Sequence, residues 1–141
     1  MSNKNFQPTK AELEILDILW EREAATVREI HEIISARRPT AYTTVLKTLQ
    51  IMDEKGSVAR DKAAKAHVYR AKNSPEHTQK NLVADLLEKA FRGSALKLVQ
   101  HVLEAKPASA DELAEIRRMI KKAEKDAASR SEKDAATEGE N

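Results

Sequence analysis

The apolar residues of this 141-residue chain recur at helical spacing almost throughout, and the period changes once, just after Gly56. Leu13, Leu16, Leu19 and Trp20, widened by Ile15 and Ile18, make one stripe, and Val27, Ile30, Ile33 and Ile34 a second. Tyr42, Val45, Leu46, Leu49 and Met52 make a third, predicted to face inward. Ser57–Arg60 and Ala66–Arg70 instead alternate and are short, which suits the two strands of a hairpin. Helical spacing then returns in Leu82, Val83, Leu86, Leu87, Ala90 and Phe91, again from Leu96 to Leu103, and again from Leu113 to Ala123. The predicted order is three helices, a hairpin and three more helices.

Helix-end signals agree with that order. Thr9-Lys-Ala-Glu12, Thr26-Val-Arg-Glu29 and Ser109-Ala-Asp-Glu112 have capping-box spacing, in which the hydroxyl accepts from the third helical amide while the acid reaches back. Thr40 is expected to cap the third helix and Gly56 to end it in the left-handed region. Ser74 with Pro75 opens the fourth helix, Gly93-Ser94 separates it from the fifth, and Pro107 breaks the fifth. The hairpin tip Asp61–Lys65 has no glycine, so a longer loop is expected there than a two-residue turn. Two strands alone are marginal in water, so the hairpin must pack on the helices before it.

Several classes fall away on composition. The chain has no cysteine, which excludes a disulfide scaffold, a redox CxxC centre, an iron–sulfur cluster and a thiolate zinc site. With 3 glycines and 4% aromatic residues, a sandwich or barrel is disfavoured. No apolar run approaches the ~18 residues of a membrane span, and Met1–Lys10 lacks the apolar stretch of a secretory signal. A soluble cytoplasmic protein with no membrane partner is expected. His31, His67, His77 and His101 have no metal-ligand spacing, and no phosphate-binding glycine loop, nucleophile elbow or HExxH occurs. No catalytic residue, metal or cofactor is therefore expected, and the chain does not read as an enzyme.

The net charge of +2 conceals a segregation. Residues 10–36 hold three basic and seven acidic residues, residues 37–72 nine basic and three acidic, and the remainder from Asn73 is nearly balanced. A field concentrated in one quarter of the chain attracts polyanions.

These features predict a mainly α (α+β) chain. An arm at 1–8 precedes a winged helix at 9–73, made of three helices and a β-hairpin wing. A three-helix dimerisation region follows at 74–126. The tail at 127–141, without a large apolar residue, is expected to be disordered. Three helices of modest length bury little surface alone, and a second copy is the simplest cover. Leu82, Leu86, Phe91, Leu98, Val102, Leu113, Ile116 and Ile120 are the expected dimer residues.

In a winged helix the third helix enters the major groove and the hairpin tip approaches the phosphates. The outer face of the third helix is Ala41, Thr43, Thr44, Lys47, Thr48 and Gln50, with no acid before Asp53. Threonine can bond to a base edge or offer its methyl to thymine. Arg60, Lys62, Lys65 and Arg70 on the hairpin suit phosphate contacts, and Arg28 is expected to add another. The alternative is a winged-helix module for protein–protein assembly, against which the basic segment and the nearly acid-free third helix both argue.

Pro8–Trp20 followed by Thr26–Ile30 resembles the opening of the BlaI/MecI penicillinase-repressor family. Ala41–Leu49 with Glu54-Lys-Gly56 is similar to its recognition helix, His67-Val-Tyr-Arg70 to its second wing strand, and Phe91–Ser94 with Glu112-Leu113 to its C-terminal half. The resemblance covers roughly residues 7–125. It implies a homodimeric repressor bound to an inverted-repeat, double-stranded DNA operator, with Tyr42, Thr43, Thr44, Lys47 and Thr48 at recognition positions and Arg60 and His67 in the wing. An aromatic at Tyr42 can be core or can reach the backbone; the favoured reading packs the ring inward and sends its hydroxyl to a phosphate. Antibiotic-responsive members are relieved by a sensor protease that cuts an Asn–Phe bond in the C-terminal part. The matching stretch Leu98–Leu103 has no such bond, and the single Asn-Phe pair is Asn5-Phe6. The copper-responsive branch carries a C-terminal cysteine cluster, which a chain without cysteine cannot use. A role in β-lactam resistance does not follow from the resemblance.

Overall fold

A computed structural model describes residues 7–139, and the Asn5-Phe6 pair lies outside the described residues. The order is α1 (Lys10–Arg22), β1 (Ala25–Thr26), α2 (Val27–Arg37), α3 (Tyr42–Lys55), β2 (Val58–Asp61), β3 (Val68–Ala71), α4 (Pro75–Phe91), α5 (Ala95–Ala105) and α6 (Ala110–Glu138). These elements form two compact units, the first ending at Gly93 and the second beginning at Ser94. Compactness thus groups α4 with the helices and hairpin before it.

The core of the first unit comes from the stripes in the sequence. Ile15, Leu16, Ile18 and Leu19 of α1 meet Val27, Ile30 and Ile34 of α2 and Val45, Leu49 and Met52 of α3, all buried. Val58 of β2 and Tyr69 of β3 close the cluster from the hairpin side. Burying an aliphatic side chain of this size contributes about 1.5–3 kcal/mol, so the helices hold the hairpin that could not stand alone. The indole nitrogen of Trp20 donates to the Asn73 carbonyl at 2.9 Å and ties α1 to the start of α4. Ser74 caps α4 by accepting from the His77 amide, and Pro75 occupies the first turn.

The hairpin belongs to a three-stranded antiparallel sheet in the order β1-β3-β2. Ala25 pairs with Tyr69 and Thr26 with Val68, while Val58 to Asp61 run opposite Ala71 to Val68. The two-residue β1 has no alternation to read and is absent from the sequence expectation.

Two caps differ from expectation. Thr9 accepts from the Glu12 amide, but the Glu12 carboxylate turns to the Lys55 ammonium at 2.9 Å. Glu12 is 3% exposed, so the acid serves α3 across the core rather than its own cap. Thr40 does not cap α3: its hydroxyl donates to the Arg38 carbonyl, and Ala41 stands at the cap position with no side-chain bond. The Thr26 box is complete in both directions. Gly56 ends α3 at φ 83°, as expected.

In the second unit, Ser94 and Ser109 cap α5 and α6 by accepting from the Lys97 and Glu112 amides. α6 continues without interruption to Glu138, so 127–138 is helix where a disordered tail was expected. Alanine, lysine and glutamate hold a helix by intrinsic preference without an apolar face, and no Gly or Pro interrupts before Gly139.

Candidate nucleic-acid interface

The outer face of α3 is set by the inward one. With Val45, Leu49 and Met52 buried, helical geometry turns Ala41, Thr43, Thr44, Lys47 and Gln50 to solvent. Thr48 is half-buried, and its hydroxyl donates to the Thr44 carbonyl at 2.8 Å. What Thr48 can present outward is therefore a methyl and acceptor lone pairs. No carboxylate interrupts this face before Asp53, and Lys47 has no ion-pair partner among the described residues. A small, hydroxyl-rich surface with one free cation can approach base edges closely.

Tyr42 departs from the stripe drawn for it. It is 45% exposed and lies outside the core, its ring meeting His31 edge-on with centroids 5.6 Å apart. At the first position of α3 its ring lies against the half-buried flank of α2 instead of the core.

The wing places its cations around the turn between β2 and β3. Lys62 and Lys65 are exposed and form no ion pair among the described residues. The Asp61 carboxylate accepts from the Ala63 amide at 3.0 Å and so shapes the turn. Across the hairpin, the Arg60 guanidinium lies 3.4 Å from Nε2 of His67. For Arg60 to donate, that nitrogen must be unprotonated, which selects the Nδ1–H form of the ring. Arg70 is exposed on β3. Tyr69, beneath the wing, has its phenol pushed up by burial, with Arg60 acting the other way.

Three of the expected contacts converge. Arg28, Tyr42 and His67, with Thr26, Val27 and Ala66, line a shallow cleft of about 310 Å³ where the starts of α2 and α3 face the wing. Among the described residues Arg28 is engaged by Glu32 alone, at 3.3 Å, and both side chains are largely exposed. Such pairs are worth little in water and yield readily to a phosphate. Lys62 and Lys65 lie away from this cleft, along the turn.

The expected dimer residues divide between the units. Leu82 lines an open groove of about 740 Å³ with Leu13 and Trp20, so part of its surface is used within the first unit. Leu86 is exposed and Phe91 half-buried on the same helix. In the second unit Val102, Leu113 and Ile120 are exposed, while Leu98 and Ile116 are half-buried. Leu96 and Met119, which are not among the expected dimer residues, are 79% and 66% exposed. Among the described residues no cluster of three His, Asp or Glu could hold a metal ion, and no helix is long and apolar enough to cross a membrane.

Three helices, a small sheet with a hairpin wing, and a third helix presenting its polar face beside that wing define a winged-helix protein. Residues 8–122 match the family model described as penicillinase repressor, and the chain belongs to that family, whose members are transcriptional repressors and not enzymes. It is 37% identical over 130 residues to the transcriptional regulator BlaI of Mycobacterium tuberculosis, covering 88% of this chain and 90% of that protein. It is 25% identical over 122 residues to the methicillin resistance regulatory protein MecI of Mammaliicoccus sciuri, and equally to that of Staphylococcus aureus, covering 86% of this chain and 99% of each relative.

Proposed function

We propose that this repressor acts as a homodimer on an inverted-repeat DNA operator in the cytoplasm, each α3 in a major groove and each wing against the adjoining phosphates. The observation that carries the reading is the outer face of α3, free of carboxylate from Tyr42 to Met52, together with Lys62 and Lys65 of the wing turn, which form no ion pair among the described residues. Lys47, Thr43, Thr44 and the Thr48 methyl read bases; Arg28, Tyr42, Arg60, Lys62, Lys65 and His67 grip the backbone.

Dimerisation is supported by the second unit. Leu96, Val99, Val102 and Leu103 recur along α5 and remain exposed, as do Leu113, Met119 and Ile120 of α6. So many large apolar groups in water are unfavourable for a monomer, and a second copy covers them by twofold symmetry. With no Asn–Phe bond in the C-terminal part, either a sensor protease cuts a different bond or release works another way; the stretch Leu98–Leu103 lies within α5.

Selection of duplexes from a random library on the purified protein tests the reading. Recovered sequences should share a dyad, and affinity for them should fall with salt with a slope near −0.9 per phosphate contact. Val102→Glu should shift sedimentation toward the monomer and weaken operator binding together. Recovery of sequences without a dyad would overturn the inverted-repeat reading, and absence of a strong salt-sensitive retention would point to the assembly-module alternative.

A further inference from the structure

The recognition helix begins without the device that starts the chain's other long helices. α1, α2, α4, α5 and α6 each have a Thr or Ser hydroxyl accepting from an amide in the first turn; α3 has Ala41. What reaches this end of α3 is a connection from α2, which holds the carbonyl before the helix and caps none of its amides. Nε2 of His31 lies 2.7 Å from the Thr40 carbonyl, and the Ser35 hydroxyl, one turn along the same face, donates to the same oxygen at 3.4 Å. A carbonyl can only accept, so His31 donates from Nε2. The same ring meets Tyr42 edge-on at an interplanar angle of 78°. His31 therefore touches the residue before Ala41 and the residue after it, and it is half-buried, which restricts its own movement.

From these contacts we propose that His31 is a positioning residue for DNA recognition: it fixes where the first turn of α3, Tyr42-Thr43-Thr44, stands relative to α2. This rests on the reading of α3 as the base-reading helix. Base readout demands placement finer than phosphate contact does, because a side chain must meet a particular base edge while a phosphate tolerates a range of approaches. Loss of the His31 bond therefore costs sequence discrimination and leaves the electrostatic part of binding in place.

The test compares affinity for a duplex selected on the parent protein with affinity for its scrambled counterpart, at one salt concentration and then across a salt series. His31→Phe keeps a ring against Tyr42 and removes the donor; it should reduce the preference about tenfold, the scale of one net hydrogen bond, with the salt slope unchanged. His31→Gln, whose amide nitrogen can reach the Thr40 carbonyl, should restore most of the preference. His31→Asn carries its amide nitrogen too close to the backbone to reach that carbonyl, and should behave as His31→Phe does even if the phenylalanine variant fails to fold. Lys47→Ala is measured in parallel. If Lys47→Ala loses discrimination while His31→Phe and His31→Asn keep it, the positioning role is overturned and the interface stands. If none of the three loses it, the reading of α3 fails and the positioning role falls with it.

Discussion

The Arg38 guanidinium, just past the end of α2, lies 2.7 Å from the carboxylate of Glu14 in α1, and Arg37 lies 3.6 Å from the same group. The hydrogen bond from Arg38, aided by the charges of both arginines and opposed by desolvation, holds the Glu14 carboxyl below its ordinary value of 4.5. A depressed folded-state pKa stabilises the protein above the unfolded value, and that contribution disappears as pH falls through the folded one. Glu14→Gln should therefore lower Tm by a few degrees at neutral pH. The gap to the parent should narrow below 4.5 and close in stronger acid. A pH-independent gap in thermal melts would show that ionisation of Glu14 is not what stabilises the turn.

Lys55 at the end of α3 reaches the buried carboxylate of Glu12, whose second oxygen has no hydrogen-bond partner among the described residues. Removing the cation strands a charge in the interior. Lys55→Met should destabilise by roughly 1–3 kcal/mol, less than for a fully buried pair because Lys55 is partly exposed. Adding Glu12→Leu should recover part of the loss, since an apolar pair needs no desolvated charge. Chemical denaturation of the two single variants and the double variant checks this, and a purely additive double variant would contradict it.

Gly56 directs the chain from α3 into the wing at φ 83° and ψ 16°. A Cβ in that conformation costs about 1–2 kcal/mol. Gly56→Ala should lose that amount in denaturant unfolding while the operator preference of the folded fraction stays the same. An unchanged midpoint would mean that the turn relaxes freely.

Under the proposed reading, Lys47 and Lys62 separate the two kinds of contact. Lys47→Ala should relax the base preference, with a loss of ~1–3 kcal/mol against the selected duplex and little against scrambled DNA. Lys62→Ala should weaken both duplexes alike and reduce the salt slope by about one. Fluorescence anisotropy titrations at several salt concentrations distinguish these outcomes, and a uniform loss on replacing Lys47 would reassign it to the backbone.

Elements that carry their own stripe and their own terminators were legible in the sequence. The spacing of Val45, Leu49 and Met52 alone defines the inner face of α3, and so the outer one. Contacts between distant segments were not legible. Glu12 has the spacing of a capping acid, and nothing local shows that Lys55, 43 positions on, takes its carboxylate. Thr40 has the chemistry of a cap, yet its carbonyl is held by α2 while its hydroxyl turns back to Arg38. Tyr42 fits the apolar period, but at the first turn of a helix that period outruns the core it faces. The helix beyond Ala127 has no apolar stripe to mark it, and it forms on the helix preference of its residues, which requires no such face.

Thr26 stands in two structures at once. As the last residue of β1 it pairs with Val68 of the wing, and as the cap of α2 it accepts from the Glu29 amide while Glu29 accepts from its own. The Val27 amide extends the same seam to the His67 carbonyl. The wing is thus stitched to the scaffold through the very residue that starts a supporting helix. Peeling the hairpin away would unravel the first turn of α2, so the wing shares the resistance of the core to opening instead of flapping as an independent ribbon.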